Sequence, residues 1–394
     1  MKAYRSKSGL NYLDIRDVDT KPFKDNKVVS LFSGAGGLDI GLEEAGFQTA
    51  VCVEIDEDCR ATLRKNKDWF VCEKNGVYRP GDIKGVTAEE LLKFAGLKKG
   101  EAALVAGGAP CQPFSNIGKK FGINDEKDGD LFLDFVRIVN GVQPKAFIFE
   151  NVQGITHTAH QEVIEYMVNK LKGSGYSVSC SVLNAADYGV PQRRLRFILM
   201  GIKNGESPCF PLPTHFESTK SWDVFIKGLD TAPEYKPERW VSLGQAFATI
   251  TQADLKRHDC LIMNVSEPVK HRMKYIKPGE NFKVLPADLR PDCWKNGKHQ
   301  GTDTFGRLKY EEPSVTIRTA AYNPSKGRYI HPKENRGLNT VELARIQGFP
   351  KDWKFYCADG KRKLSLVSIG KQIGNAVPPP LAKVLGLAVK KQIL

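Results

Sequence analysis

The run Val28-Val29-Ser30-Leu31-Phe32 passes directly into Ser33-Gly34-Ala35-Gly36-Gly37, and a helical pattern follows from Leu38 to Ala45. A buried strand, a glycine turn and a helix in immediate succession form the opening unit of a doubly wound α/β sheet. The glycines let a ligand approach the backbone, and the helix start offers free N–H groups. Asp39 stands where a strict dinucleotide fingerprint has its third glycine. With no hydride-transfer site in view, a dinucleotide oxidoreductase is poorly supported.

The same grammar recurs along the chain. Ala50-Val51-Cys52-Val53 reads as a strand ending in Glu54, an acid able to accept from both hydroxyls of a ribose. Asp56 and Asp58 suit the start of the next helix, where carboxylates meet the positive end of the dipole. Gly81-Asp82-Ile83 reads as a third strand end, with Asp82 placed to accept from an exocyclic amine. The run Ala102–Ala106 then enters Gly107-Gly108-Ala109-Pro110-Cys111-Gln112-Pro113-Phe114-Ser115. Glycines and prolines end that strand and hold one thiol in a fixed loop at a carboxyl end, where open α/β sheets place ligands. A lone cysteine is otherwise a small buried hydrophobe. Residues 116–129 are polar and aperiodic, as a lid would be.

Pro144–Phe149 is the next buried strand and ends in Glu150-Asn151-Val152. Helix is expected over 160–173 and strand over 177–183. Tyr188-Gly189-Val190-Pro191-Gln192-Arg193-Arg194-Leu195-Arg196 leads into a strand at Phe197–Met200. Periodicity weakens from Lys203 to about Thr304 and resumes at Glu312–Ile317. Residues 340–350 read as a short amphipathic helix ended by Gly348 and Pro350. Gln372-Ile373-Gly374-Asn375-Ala376-Val377-Pro378-Pro379-Pro380 precedes a final helix, with Pro380 in its first turn.

The chain has 394 residues, enough for two or three domains, and a formal net charge of +14, which favours a polyanionic partner. Residues 324–394 hold 14 Lys/Arg against 4 Asp/Glu. Nine cysteines without a C-x-x-C pair argue against zinc and a disulfide framework, and fit a reducing cytosol. No signal peptide and no apolar run long enough to span a bilayer is visible.

The Pro110-Cys111-Gln112 stretch resembles the nucleophile motif of DNA (cytosine-5) methyltransferases. Phe32–Gly37, Glu150-Asn151-Val152, Gln192-x-Arg194-x-Arg196, Thr340–Pro350 and Gly374-Asn375-Ala376-Val377-Pro378 match further motifs of that family, in its order, over residues 28–383. The resemblance implies an α/β, Rossmann-like domain binding S-adenosyl-L-methionine, residues 1–204 with 368–394, and a smaller irregular recognition domain, 205–367. By the same match Cys111 is the nucleophile and Glu150 assists it. Arg194 reaches the flipped base, and Arg196 orients the site or a phosphate. The cofactor pocket comprises Phe32 against the adenine, Ser33, Gly34, Gly36, Gly37, Glu54 on the ribose, Ile55, Asp82 on the adenine amino group, Ile83, Pro110, Leu131, Asn375 and Val377. No metal is implied.

The chemistry accounts for the residue types. Carbon 5 of cytosine is a poor nucleophile until a thiolate adds at carbon 6, and cysteine, with a pKa of about 8.5, is tunable for that. Nitrogen 3 must then gain a proton, which a desolvated carboxylic acid can supply. A base buried in a duplex must first be flipped out. The partner expected is double-stranded DNA, not a membrane, with a cognate restriction endonuclease acting on the same site of a bacterial host. The enzyme is expected to be a cytoplasmic monomer that releases S-adenosyl-L-homocysteine. Residues 205–310 are expected to select the target, with Arg239, Gln252, Lys256, Arg257, Arg272 and Arg307 among the candidate readers. Basic residues such as Lys361, Arg362 and Lys363 are expected to hold phosphates. Two alternatives remain at this point: an RNA (cytosine-5) methyltransferase, and an inactive DNA-binding regulator.

Overall fold

A computed structural model describes residues 3–73, 78–110, 131–157, 161–295, 303–358 and 362–394. The chain opens with two short strands, β1 (Ala3–Arg5) and β2 (Asn11–Leu13). The main sheet follows: β3 (Lys27–Leu31), α1 (Gly37–Glu44), β4 (Gln48–Val53), α2 (Glu57–Asn66), β5 (Phe70–Val71), α3 (Ala88–Ala95), β6 (Leu104–Gly107), α4 (Leu131–Val142), β7 (Ala146–Val152), α5 (Gln161–Gly173), β8 (Tyr176–Asn184) and β9 (Leu195–Lys203). Seven strands lie in the order β5-β4-β3-β6-β7-β9-β8. The first five are mutually parallel, and β9 inserts antiparallel between β7 and β8. β3, β6 and β7 are largely apolar and buried because helices cover both their faces.

One face is packed by α3, α4 and α5 through Leu91, Phe135, Ile138 and Leu171. The other carries α1 and the last helix of the chain, through Leu38, Leu42, Leu381, Leu385 and Val389. The N-terminal segment is an ordered arm: β2 pairs with both β1 and β10 (Cys209–Pro211).

Beyond β10 the elements are short, as the loss of periodicity there predicts: β11 (His215–Phe216), α6 (Thr219–Lys227), β12 (Glu238–Arg239), α7 (Leu243–Phe247), α8 (Gln252–Leu255), α9 (Glu267–Met273) and α10 (Asp292–Lys295). A small core of Met273, Ile276, Phe282, Leu285, Phe305 and Ile330 holds this region together. The chain returns through α11 (Thr340–Gln347), α12 (Leu366–Asn375) and α13 (Pro379–Ile393). A third core unites Ile40, Cys52, Leu63 and Trp69 from the first half with Leu308, Leu343, Trp353 and Ile369 from the second.

One expectation changes. Residues 81–83 are not a strand end: Asp82 caps a single 3-10 turn, Ile83–Gly85. Residues 312–317, where the regular pattern resumes, meet the sheet's periphery through one bridge, Gln192 with Ser314. The helix α12 was not anticipated, because its glycines and polar residues obscure the apolar stripe of Ile369 and Ile373.

Candidate active site

The carboxyl ends of β3, β4, β6 and β7 lie side by side, and the sequence places chemistry at each. Phe32 follows β3 with φ at 53°, a left-handed backbone that a bulky residue rarely adopts. Such strain persists only where the surroundings enforce it, and here it sets the half-buried ring at the mouth of the glycine loop. Ser33 is pinned below by its hydroxyl on Ser30, 2.8 Å away. Gly34 also has positive φ, and among the described residues a Cβ there would meet nothing within 4 Å. Gly36 caps α1. At Gly37 a Cβ would lie 2.3 Å from the Val377 carbonyl oxygen, so the returning chain closes directly on the loop.

Glu54 is buried, and its oxygens accept from the amides of Gly34 and Asp56, both at 2.7 Å. Burial pushes its carboxyl up, opposed by those two amides. Each oxygen keeps a lone pair for a further donor. Ile55 beside it is an exposed apolar side chain. Asp82 is half-buried and accepts from the Lys84 amide at 3.1 Å, while Ile83 is buried. Leu131 opens α4 and packs partly on the core. Asp39 points inward: it is fully buried, with Thr49 at 3.4 Å, and burial pushes its carboxyl up to about 7.

Sequence reasoning missed Arg60. Its buried guanidinium donates through Nη1 to the carbonyls of Glu54, Ile55 and Pro80, at 3.1, 2.8 and 3.0 Å. It therefore staples the loop carrying Glu54 to the loop carrying Asp82. The signal was faint: an arginine on the same helical face as Cys59 and Leu63.

Pro110 is exposed and Ala109 buried; Cys111, the expected nucleophile, and residues 116–129 lie outside the described residues. Glu150 is buried at the end of β7, and its Oε1 lies 2.6 Å from the Nε of Arg196 on β9. Register explains the contact: Val152 faces Arg196 across the strands, so Glu150 and Arg196 are diagonal neighbours on one face. The other oxygen, Oε2, rests where a Cβ on Gly108 would come within 2.6 Å, so a larger residue there would push the carboxyl aside. Burial pushes the Glu150 carboxyl up, opposed first by Arg196 and then by Arg194. Asn151, also unanticipated, donates to the Ala109 carbonyl at 2.9 Å and ties β7 to the loop that leads to residue 111.

The two arginines separate. Arg194 is 1% exposed. It donates to the carbonyls of Ile317 and Gly374, both at 2.7 Å, and of Ala376 at 3.2 Å. Its reach toward a base is thereby taken up by backbone that joins β9 to α12. Gln192 acts in the same junction, accepting from the Ile317 amide at 2.8 Å and donating to Gln347 at 2.7 Å. Val377 is buried there, and Asn375 is exposed on the wall of a cleft of about 660 Å³ shared with Val152, Arg196 and Thr319.

Of the candidate readers, Arg307 and Arg257 are structural, and Arg272 is engaged, among the described residues, through its Nε alone. All five donors of Arg307 are spent, on the carbonyls of Met273, Ile276, His331 and Glu334 and on Asn335. Arg257 is bound to Asp259 and to carbonyls of 351 and 353, and Arg272 to the Leu289 carbonyl. Arg239, Gln252 and Lys256 are exposed. Among the described residues no helix is long and apolar enough to cross a membrane, and no cluster of His, Cys, Asp and Glu has metal-binding geometry.

Residues 26–391 match the family model described as C-5 cytosine-specific DNA methylase. The chain is 30% identical over 392 residues to the Type II methyltransferase M.PspPI of Psychrobacter sp., covering 96% of this chain and 82% of that one. It is 32% identical over 380 residues to M.Sau96I of Staphylococcus aureus, covering 95% and 77%. Among solved structures, a putative DNA modification methyltransferase from an Escherichia coli prophage aligns with a TM-score of 0.64 at 22% identity, over 93% of this chain and 99% of that one. That likeness is one of fold.

Proposed function

This chain belongs to the C-5 cytosine-specific DNA methylase family and is a DNA (cytosine-5)-methyltransferase, and from that premise we propose how its residues divide the work. Membership favours DNA over the RNA-directed alternative. The observation that carries the assignment is the buried Glu150–Arg196 pair, set against Gly108 three residues before Cys111.

The residues at the ends of β3 and β4 fit S-adenosyl-L-methionine: an aromatic face at Phe32, bare backbone at Gly34, free lone pairs on Glu54 and an apolar platform at Ile55. Asp82, Ile83, Pro110, Leu131, Asn375 and Val377 complete the pocket. When bound, this cofactor supplies the methyl group. The Cys111 thiolate adds to carbon 6 of the extruded cytosine as nitrogen 3 takes a proton from Glu150. Desolvation favours the protonated Glu150 that this requires. Arg196 orients that carboxyl and holds its charge once the proton has left. Carbon 5 then gains the methyl group and loses its proton to a base, and the carbon 6–sulfur bond breaks to return the thiolate. Arg194 acts as a positioning residue, fixing Ile317 and residues 374–376 against the site.

Double-stranded DNA is the substrate, in a bacterial cytoplasm, and a cognate restriction endonuclease reading the same site is the expected companion. DNA carrying 5-fluorocytosine at the target should trap a covalent adduct, because fluorine cannot leave as a proton does. Cys111→Ala should abolish adduct and methylation yet still bind DNA. Persistence of the adduct in that variant would remove Cys111 from its role, and absence of methylation by the wild-type chain would favour an inactive regulator.

A further inference from the structure

Residues 316–319 form a strap along the cleft, and its backbone is gripped from several sides. Thr316 Oγ1 donates to the Arg193 carbonyl at 2.8 Å, and the Thr316 carbonyl accepts from the Tyr329 hydroxyl at 2.9 Å. Ile317 is held at both ends, its amide by Gln192 and its carbonyl by Arg194. On the opposite side α12 approaches so closely that a Cβ on Gly374 would lie 2.4 Å from the Thr319 nitrogen and 2.5 Å from the Arg318 carbonyl carbon. A Cβ on Gly370 would lie 2.4 Å from the Thr319 carbonyl oxygen. Backbone held this firmly presents its side chains in a fixed place.

The side chain so presented is Arg318. It lines the same cleft as Arg196 and is exposed. The other arginines of the cleft are all engaged: Arg193 with Glu312, Arg194 with carbonyls, Arg196 with Glu150. Among the described residues the Arg318 side chain makes no hydrogen bond or ion pair. A free guanidinium on a rigid strap beside a cleft lined by three further arginines matches the fork geometry of a phosphodiester.

We propose that Arg318 is the positioning residue that grips a phosphate next to the extruded cytosine, fixing the DNA strand against the catalytic cleft without reading its sequence. This rests on the DNA-methyltransferase reading and adds a residue to it. A phosphate contact adjoining the flipped nucleotide serves extrusion more than it serves general affinity, because it is made fully only when the strand is distorted.

The test compares wild type, Arg318→Gln and Arg318→Lys on a duplex with 2-aminopurine at the target position. Arg318→Gln should reduce the slope of log affinity against log salt by about one phosphate's worth. It should also lower the fluorescence increase that reports flipping, and slow single-turnover methylation about tenfold or more at moderate salt. Arg318→Lys should recover most of the slope and part of the rate, since it restores the charge without the fork. The methylated sequence and S-adenosyl-L-methionine affinity should be unchanged in both. An unaltered salt slope with normal flipping would overturn the proposal. So would a changed target sequence, which would make Arg318 a base reader. The salt slope is read from binding alone, so a failure of Arg318 is distinct from a failure of wild type to methylate.

Discussion

Glu150 shows how much one position can be worth. Its side chain has no slack: Arg196 holds one oxygen and the Cα face of Gly108 confines the other. Glu150→Gln keeps the shape and removes the titratable proton. Single-turnover methylation should fall by about 10²–10⁴, the usual share of a positioned general acid, while DNA affinity changes far less. A near-normal rate would assign the proton at nitrogen 3 to another group. The place of Glu150 was legible: an acid after an apolar strand could simply cap a helix, but beside the cysteine loop it has a better use. Its partner was not. The alternation Gln192-x-Arg194-x-Arg196 puts three side chains on one side of the chain, but which arginine meets the acid depends on the register between β7 and β9, whose paired residues lie 44 to 56 positions apart, from Val152 with Arg196 to Ala146 with Ile202.

The junction of β9, the 316–319 strap and α12 has a different kind of importance. Two buried glutamines and one buried arginine satisfy backbone groups from three separate segments: Arg194 serves 317, 374 and 376, and Gln347 donates to the Ala376 carbonyl at 2.5 Å. Removing the arginine strands buried carbonyls, each an unsatisfied polar group. Arg194→Met should therefore lower stability by about 2–5 kcal/mol, measured as a lower urea midpoint with an unchanged slope. Arg196→Met should instead leave the midpoint closer to wild type and lose turnover. If Arg194→Met kept its midpoint and lost only rate, Arg194 would belong with the base after all. Helix α12 escaped the sequence reading for a related reason. Gly370 and Gly374 lower its helical propensity, and they are there because the strap crosses within van der Waals contact of both. The segment 312–317, which leads into the strap, carries a regular pattern in the sequence but lies outside the sheet. Ser314 bonds through its backbone to 191 and 193, but Ile317 bonds to the side chains of Gln192 and Arg194, so the pairing stops at a single bridge.

The molecule's charge is distributed less simply than its total suggests. Much of the basic excess in residues 324–394 is neutralised internally. Lys390 is buried against Asp19, Lys391 meets Asp17 at 2.6 Å, Lys371 meets Asp56 at 2.6 Å, and Arg362 meets Asp58 at 3.0 Å. These pairs fasten the last part of the chain to the first, so Arg362 is a poor candidate for a free phosphate contact; Lys361 lies outside the described residues. Residues 205–310 hold 16 Lys/Arg against 13 Asp/Glu, so that segment offers individual polar contacts rather than a strong basic field. That balance governs how specificity should transfer. Every extruded cytosine is chemically alike, so target choice must come from contacts with neighbouring base edges, worth about 1–3 kcal/mol per good bidentate pair. Arg239, Gln252 and Lys256 are exposed for such contacts, whereas Arg307 pins 273–276 to 331–335 from inside. A graft of residues 205–310 from a relative with another target should succeed if it keeps an arginine at 307 and leaves the 312–319 strap untouched. Bisulfite sequencing of DNA from expressing cells should then show methylation at the donor's site, with Cys111 still required. A graft lacking that arginine should fold poorly, because five acceptors lose their partner. An active, well-folded graft that still methylated the original sequence would place target choice outside 205–310, in the segments between 319 and 367.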